Sequence, residues 1–347
     1  MDFFSLLAFA GMIGLLFITI YVANEDDVRG EPFAKTRWFL YAVTGLTFIF
    51  GLMLLQFALI DFTALSPEIT AGEQMPQINQ VAALIVFMLC GFSAYTGWKL
   101  IGSLTDRERA MRVIGHGFNP NSTVHTTAII LALGLLCSNI GQFVLSGGIA
   151  GVAQSLENTN FVSEAFFQQV LWVFAALLGV GLFLRRHPNE TLMRLGLRIP
   201  TLQEVTFGVG SAVIMFMFTL VLGLIWSLLV PPEQFADQTA ASQQMTIAIG
   251  SMASALIVSL LVAVGEEIFF RGALQPIFGL WITSIFFTLL HIQYTLTPAS
   301  VAILILALVL GVLRQRFNTT VAIITHFTFN FIQLALAILA ASVVGGA

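Results

Sequence analysis

The segment VGEEIFFRG, residues 264–272, places three charged side chains inside an apolar stretch that begins about twenty uncharged residues earlier. The charges are Glu266, Glu267 and Arg271. Moving an ionisable side chain into hydrocarbon costs about 3 kcal/mol, so charges at membrane depth usually have a function. The segment therefore indicates a membrane protein and marks the place where its functional site is to be sought.

The composition of the whole chain agrees with this interpretation. Of 347 residues, 58% are hydrophobic and 9% are charged, and the mean hydropathy is +0.93. A soluble domain has about 25% charged residues. No basic run or aromatic-basic pattern indicates a nucleic-acid partner. Membrane lipid is therefore the expected surrounding of most of the chain.

The apolar runs predict the fold class. A membrane-spanning helix needs about 20 apolar residues, and only helices satisfy their own backbone groups within one segment in lipid. The runs are too long and too uniformly apolar for barrel strands. We therefore predict an all-α polytopic bundle of about ten transmembrane helices. These lie near residues 3–23, 38–60, 80–101, 125–146, 166–184, 205–230, 246–276, 280–296, 299–316 and 319–342.

The loops alternate between those that carry lysine or arginine and those that carry acids and no base. The first kind is 24–37, 99–124 and 185–204, and the second is 61–79, 147–165 and 231–245. Because lysine and arginine favour the cytoplasmic side, both termini are expected outside.

The arginine-rich loop 185–204 also predicts a domain boundary. Residues 1–200 would form N-terminal transmembrane helices of unknown role. Residues 201–347 would form a C-terminal unit that holds every intramembrane charge.

The spacing within the charged segment predicts different roles for its two acids. Glu267 and Arg271 are i and i+4 on a helix with the acid first, which is the better order for a pair. Glu266 points about 100° away around the helix, so it is free to act as a general base. The alternative is a pore-lining or structural acid cluster.

Two further patterns follow on later apolar segments. They are Phe287-x-x-x-His291 and His326-x-x-x-Asn330, each with its two residues on one helix face. Alone, each pattern is more typical of a packing histidine or of a polar contact between helices. Their position relative to the charged segment gives them more weight.

Proline and glycine in residues 275–279 predict a break that turns the chain back as an antiparallel pair. Glu266 and His291 would then lie at similar depth, about 15–20 Å from the turn. The last span begins on the same side, near Thr319, so His326 and Asn330 can reach that depth as well. We expect the four side chains to meet in the half of the membrane nearer the basic loops.

Such a set can hydrolyse a peptide bond without a covalent intermediate. A carboxylate and a histidine deprotonate a water, and a second histidine and an asparagine donate hydrogen bonds to the oxyanion. Glu266, His291 and His326 are also a plausible set of zinc ligands. The sequence leaves both options open. The zinc signature HExxH and the serine elbow GxSxG are absent.

In their order and spacing, Glu-Glu-x-x-x-Arg, Phe-x-x-x-His and His-x-x-x-Asn resemble the CAAX protease and bacteriocin-processing (CPBP or ABI) family of intramembrane endopeptidases. The resemblance covers about residues 205–342. It implies Glu266 as the water-activating carboxylate and His291 as its partner. It implies His326 and Asn330 as oxyanion stabilisers.

The resemblance further implies Glu267, Arg271 and Phe287 as supporting residues. Members are often described as metalloproteases, but the glutamate mechanism requires no metal. The expected substrate is a membrane-associated protein or peptide. The expected location is a bacterial plasma membrane, with the site open to the cytoplasm.

Two other classes of function remain. A proton- or cation-coupled transporter could use the same glutamates and histidines as a relay, although transporters often show related halves and here the charges are in one half. A scaffold with a vestigial site is the third class, and the intact motifs count against it.

Overall fold

A computed structural model describes residues 3–60, 78–115, 117–148, 151, 160–231, 246–291 and 298–345. These residues are helical apart from turns and one isolated bridge between Leu182 and Arg186. The helices are α1 Phe3–Arg29, α2 Thr36–Leu59, α3 Gln80–Gly102, α4 Leu104–Ile114, α5 Thr123–Leu145, α6 Phe161–Gly179, α7 Pro188–Leu195, α8 Leu202–Leu229, α9 Met252–Glu266, a π-helix Glu267–Leu274, α10 Gln275–Leu290, α11 Pro298–Arg316 and α12 Thr319–Gly345.

The expectation of an all-α transmembrane bundle is confirmed. Within the described ranges, nine helices are long and apolar enough to cross a membrane. One of them, Met252–Leu290, has 39 residues and combines the expected seventh and eighth spans. Its two arms correspond to those two expected spans.

The 39-residue helix reverses direction at Gly279. This residue has φ 73° and ψ 177°, a conformation outside any helix. A straight helix would separate Arg271 from Phe287 by about 24 Å. Instead, the Arg271 Cζ atom lies 4.8 Å from the centre of the Phe287 ring. The two arms are therefore antiparallel, as the proline and glycine of this segment indicated.

The described part of the second arm is short. It runs from Gly279 to Leu290, which is about 18 Å of helix, against a hydrocarbon core of about 30 Å. The remainder of the expected span 280–296 lies largely outside the described residues, as do the acidic loops near 61–77 and 232–245.

The first compact unit, Met1–Val152, contains α1 to α5. Two acids near the end of α1 extend their carboxylates to the beginnings of other helices. Asp26 accepts hydrogen bonds from the backbone of Lys35 and Thr36 at 3.0 and 2.9 Å. Asp27 accepts one from the backbone of Thr123 at 2.7 Å. Negative charge is favourable at a helix N-terminus, so these acids stabilise the starts of α2 and α5.

The second unit, Ala153–Ala347, contains α6 to α12. It begins earlier than the boundary expected at residue 200, because α6 packs against the helix that carries the two glutamates. Trp172 of α6 stacks on Phe269 with ring centres 4.3 Å apart. Gln169 of α6 lies against Gly265, where a Cβ atom would be 2.3 Å from its Oε1 atom. The fifth expected span thus belongs structurally with the charged segment.

The short helix α7 rests on two elements of the same unit. Arg194 donates from Nη1 to the carbonyl of Gly272 in the π-helix at 2.9 Å. The Thr319 hydroxyl, at the start of α12, donates to the carbonyl of Leu195 at 2.5 Å. Leu195 itself is fully buried. Helix α7 therefore connects the π-helix to the beginning of α12.

Candidate active site

The π-helix carries a fully buried ion pair. Glu267 and Arg271 are both 0% exposed, and Arg271 Nε lies 3.4 Å from Glu267 Oε2. Arg271 also donates from Nη2 to the carbonyl of Ala307 at 3.2 Å. The pair expected from the i, i+4 spacing is present, although the local helix is a π-helix. Such helices are rare and occur often at functional sites.

His326 joins this pair from α12. Its Nδ1 atom lies 2.9 Å from Glu267 Oε1, and its side chain is 4% exposed. An ionised carboxylate can only accept, so Nδ1 carries the proton. The neutral imidazole then presents a lone pair at Nε2, and the protonated one presents an N–H. The oxyanion role implied for His326 therefore requires its protonated form.

His291 ends the antiparallel arm. Its Nδ1 atom lies 2.9 Å from the carbonyl of Phe287, and the two rings are 4.7 Å apart. A carbonyl oxygen accepts only, so Nδ1 donates here as well. In its neutral form His291 therefore has a basic Nε2 atom, as a water-activating partner requires.

Phe287 lies between the charged residues. Its ring is 1% exposed, and its centre is 6.2 Å from that of His326 as well as close to Arg271 and His291. The ring of Phe270 meets it edge to face at 5.0 Å. Phe287 thus lies next to both histidines and covers the guanidinium with an aromatic face, a favourable contact for a cation.

Glu266 differs from its neighbour in having no ion-pair partner among the described residues; Glu267 Oε2 also lacks a hydrogen bond, but it lies 3.4 Å from Arg271 Nε. Glu266 is partly exposed, yet its Oε2 atom is buried and has no hydrogen-bond partner in the described part of the chain. Asn330 lies one turn after His326 on α12 and is also partly exposed. The structure thus brings Glu267, Arg271, Phe287, His291 and His326 into one contact network. Glu266 precedes that network in sequence, and Asn330 follows it.

The metal set proposed from the sequence can be compared with this geometry. Across the described residues, no three side chains of His, Cys, Asp or Glu are close enough to one another to hold a metal ion. Glu266, His291 and His326 are all among those residues. Glu266, His291 and His326 therefore do not fit a preformed metal centre in this conformation.

Gln169 lies near the site and was not among the residues predicted from the sequence. Gln169 is 4% exposed, and its Oε1 atom has no hydrogen-bond partner in the described ranges. Its close contact with Gly265 places it beside the residue that precedes Glu266. A polar amide in an otherwise apolar helix indicates a side chain that faces the interior of the bundle. The sequence alone could therefore have indicated Gln169.

Comparisons with known proteins agree with the motifs. Residues 248–332 match a family model described as type II CAAX prenyl endopeptidase Rce1-like. All seven motif residues, from Glu266 to Asn330, fall within that range.

A similar curated protein is the uncharacterized protein YpbD of Bacillus subtilis (strain 168). It is 29% identical over 126 residues, which is 36% of this chain and 62% of that protein. The match thus spans less than two thirds of the relative's length. No solved structure matches the chain. Residues 248–332 are thus similar to the CAAX protease family that the three motifs resemble.

Proposed function

We propose that this protein is an intramembrane endopeptidase in which Glu266 and His291 activate a water molecule. The observation that carries the proposal is the contrast between adjacent acids. Glu267 forms ion pairs with Arg271 and His326, whereas Glu266 has no ion-pair partner among the described residues and its buried Oε2 atom accepts no hydrogen bond. A carboxylate with a free oxygen can accept a proton, and a carboxylate held by two cationic or donating groups serves to position them.

The proposed reaction begins with proton transfer from water to Glu266, assisted by the free Nε2 atom of His291. The hydroxide attacks the carbonyl carbon of the peptide bond. Protonated His326 and the Asn330 amide donate to the resulting oxyanion, which lowers the barrier because these donors are already oriented. The C–N bond then breaks, and the proton held by Glu266 passes to the leaving amine. The products are a carboxylic acid, which then loses its proton to water, and an amine.

The proposed substrate is a protein or peptide associated with the membrane. Apart from His291, which directly follows its helix, the site side chains belong to membrane-spanning helices, so a substrate held at the membrane is already near them. We further place the protein in a bacterial plasma membrane with the site open to the cytoplasm. The arginines that end α11 and those around α7 support this side.

The test compares wild-type protein with Glu266→Gln in reconstituted membranes. Peptides with and without a prenyl group are offered, and mass spectrometry identifies the cleaved bonds. The amide keeps the shape of the side chain but cannot act as a base, so we expect turnover to fall by about 10²–10⁴-fold.

Glu164→Gln, in the exposed first turn of α6, is the matched control and should cleave normally. If Glu266→Gln kept more than about a tenth of the wild-type turnover at equal expression, Glu266 could not be the base.

A further inference from the structure

Residues 181–201 form a basic cap that lies between two membrane-spanning helices and outside both. The cap contains the turn after α6, helix α7 and the approach to α8. It carries Arg185, Arg186, Arg194 and Arg198, and the C-terminal end of α11 adds Arg314 beside it. The guanidinium of Arg314 lies against Gly196, where a Cβ atom would be 2.7 Å from its Cζ atom.

The arginines of the cap are close enough to affect one another. Burial, together with nearby positive charge, lowers the pKa of the Arg194 guanidinium to about 10. The neighbouring charges are those of Arg186, Arg314 and Arg185. Arg194 is still protonated at neutral pH, so the group keeps its positive charge. Gathering like charges in a partly buried place is unfavourable unless an anion is present.

The carboxylates of Glu190 and Glu204, in and next to the cap, form no salt bridge with Arg186, Arg194 or Arg314, although the charge of Glu190 acts on Arg186. Glu190 accepts a hydrogen bond from the backbone of His187 at 2.9 Å, at the beginning of α7. Glu204 is bonded to Arg198, and Asn318 donates to it at 2.9 Å. Among the described residues, no salt bridge joins Arg186, Arg194 or Arg314 to a carboxylate. These three guanidinium groups therefore have donors available for an external anion.

The cap also exposes bulky apolar side chains. Phe183 is 79% exposed, Met193 is 70% exposed and Ile199 is 91% exposed. Phe183 is held at φ 62°, in the left-handed region that a bulky residue rarely adopts. Exposed apolar side chains next to arginines are typical of a segment that lies in the membrane interface. A soluble anion would leave these side chains in water, whereas a lipid would cover them.

We propose that the basic cap binds the headgroup of an anionic phospholipid. The phosphate is held by Arg186, Arg194 and Arg314, and the acyl chains lie against the exposed apolar side chains. Guanidinium groups suit this role because their planar donors match phosphate oxygens in pairs. Since Arg194 also donates to the carbonyl of Gly272, bound lipid is expected to stabilise the folded protein through the π-helix.

The experiment uses the full-length protein in phosphatidylcholine bilayers with and without phosphatidylglycerol. Native mass spectrometry measures retained phosphatidylglycerol, and thermal unfolding measures stabilisation. We expect Arg186→Gln, Arg194→Gln and Arg314→Gln each to lower lipid retention about fivefold. Arg112→Gln is the matched control, because Arg112 is an exposed arginine at the end of α4, remote in sequence from the cap. It should retain lipid as wild type does.

Two results would overturn the proposal. Equal loss of lipid in Arg112→Gln would show attraction to surface charge in general. Equal stabilisation by inorganic phosphate would show a site for soluble anions. If Arg194→Gln failed to fold after losing its bond to Gly272, the Arg186→Gln and Arg314→Gln variants would decide alone. Lipid retention is read without a cleavage assay, so this result is independent of the proposed protease activity.

Discussion

Two adjacent glutamates at one depth in the membrane have different surroundings. Glu267 faces the guanidinium of Arg271 and the imidazole of His326, and all three side chains are buried. Glu266 is one residue earlier, and its Oε2 atom has no partner in the described part of the chain. Surroundings of this kind can divide one residue type into a structural acid and a reactive one.

The buried pair predicts a stability effect that is separate from catalysis. Arg271→Ala leaves Glu267 buried without its cation, and losing one partner of such a pair costs about 3–5 kcal/mol. We expect a lower unfolding temperature as well as lost activity. Thermal unfolding in detergent measures the first effect, and peptide cleavage measures the second.

A double variant distinguishes pairing from simple loss of packing. Glu267→Gln with Arg271→Gln removes both charges and keeps most of the side-chain volume, so part of the stability should return. Arg112→Ala, at an exposed position, should change stability by less than about 0.5 kcal/mol. If the double variant were as unstable as Arg271→Ala, the two side chains would not depend on each other.

Whether the site binds a metal ion also depends on individual residues. We expect purified active protein to contain no stoichiometric metal and to keep its activity in strong chelators. The reason is that Glu266, His291 and His326 do not converge closely enough to hold an ion in this structure. Elemental analysis and chelation followed by zinc addition measure this. About one equivalent of zinc, lost in His291→Ala and needed for activity, would reverse the assignment.

The sequence allowed some of these contacts to be predicted and not others. The Glu267–Arg271 pair is local, so its spacing along one helix was sufficient. The contact between His326 and Glu267 joins two helices, and it depends on how each helix is rotated about its axis. A π-helix changes that rotation, and the sequence of residues 267–274 did not lead us to predict a π-helix. The pair within one helix could be predicted, but the partners across helices could not.

At the scale of elements, the reversal at Gly279 holds the site together. The bend brings the arm that carries Phe287 and His291 back along the π-helix. The combination of Pro276 and Gly279 made this reversal predictable. Its exact residue was not, because Pro276 remains inside the helical part and the non-helical conformation occurs three residues later.

Gly279→Ala tests the reversal directly. A Cβ atom would meet no heavy atom within 4 Å, so the cost comes from the backbone conformation alone. Residues other than glycine at such φ and ψ values cost about 1–3 kcal/mol. We expect a destabilisation of this size together with reduced cleavage, since the arms would no longer align. Chemical unfolding in detergent measures the free energy of unfolding.

Gly210→Ala is the control for this substitution. Gly210 lies within α8, has an ordinary helical φ, and also has no atom within 4 Å of an added Cβ. Alanine there should leave stability unchanged or raise it by up to about 1 kcal/mol. Equal effects of the two substitutions would mean that the φ of Gly279 is not a constraint.

At the scale of the whole molecule, the two compact units do not coincide with the expected division at residue 200. Helix α6 lies before that residue but contributes Gln169 and Trp172 to the surroundings of the π-helix. The arginine-rich loop was chosen as a boundary because of its composition. The structure places that loop on the site helices, through Arg194 and Leu195. Charge composition gives an expected side of the membrane, but it could not predict which helices pack together.

The alternation of basic and acidic loops predicts the topology, and α3 offers a direct test. This helix has 23 residues, or about 34 Å, which is enough to cross the hydrocarbon core. Gln80 at its beginning should lie outside, and Glu108, in the basic loop after its end, should lie in the cytoplasm.

Both positions are exposed, whereas the native Cys90 and Cys137 are buried and should react little. An impermeant maleimide added to intact cells should therefore label Gln80→Cys and spare Glu108→Cys until the membrane is opened. The reverse pattern would contradict the orientation expected from the alternation of the loops. Labelling of both positions in intact cells would mean that α3 does not cross the membrane, which would contradict the span count from which the bundle was predicted.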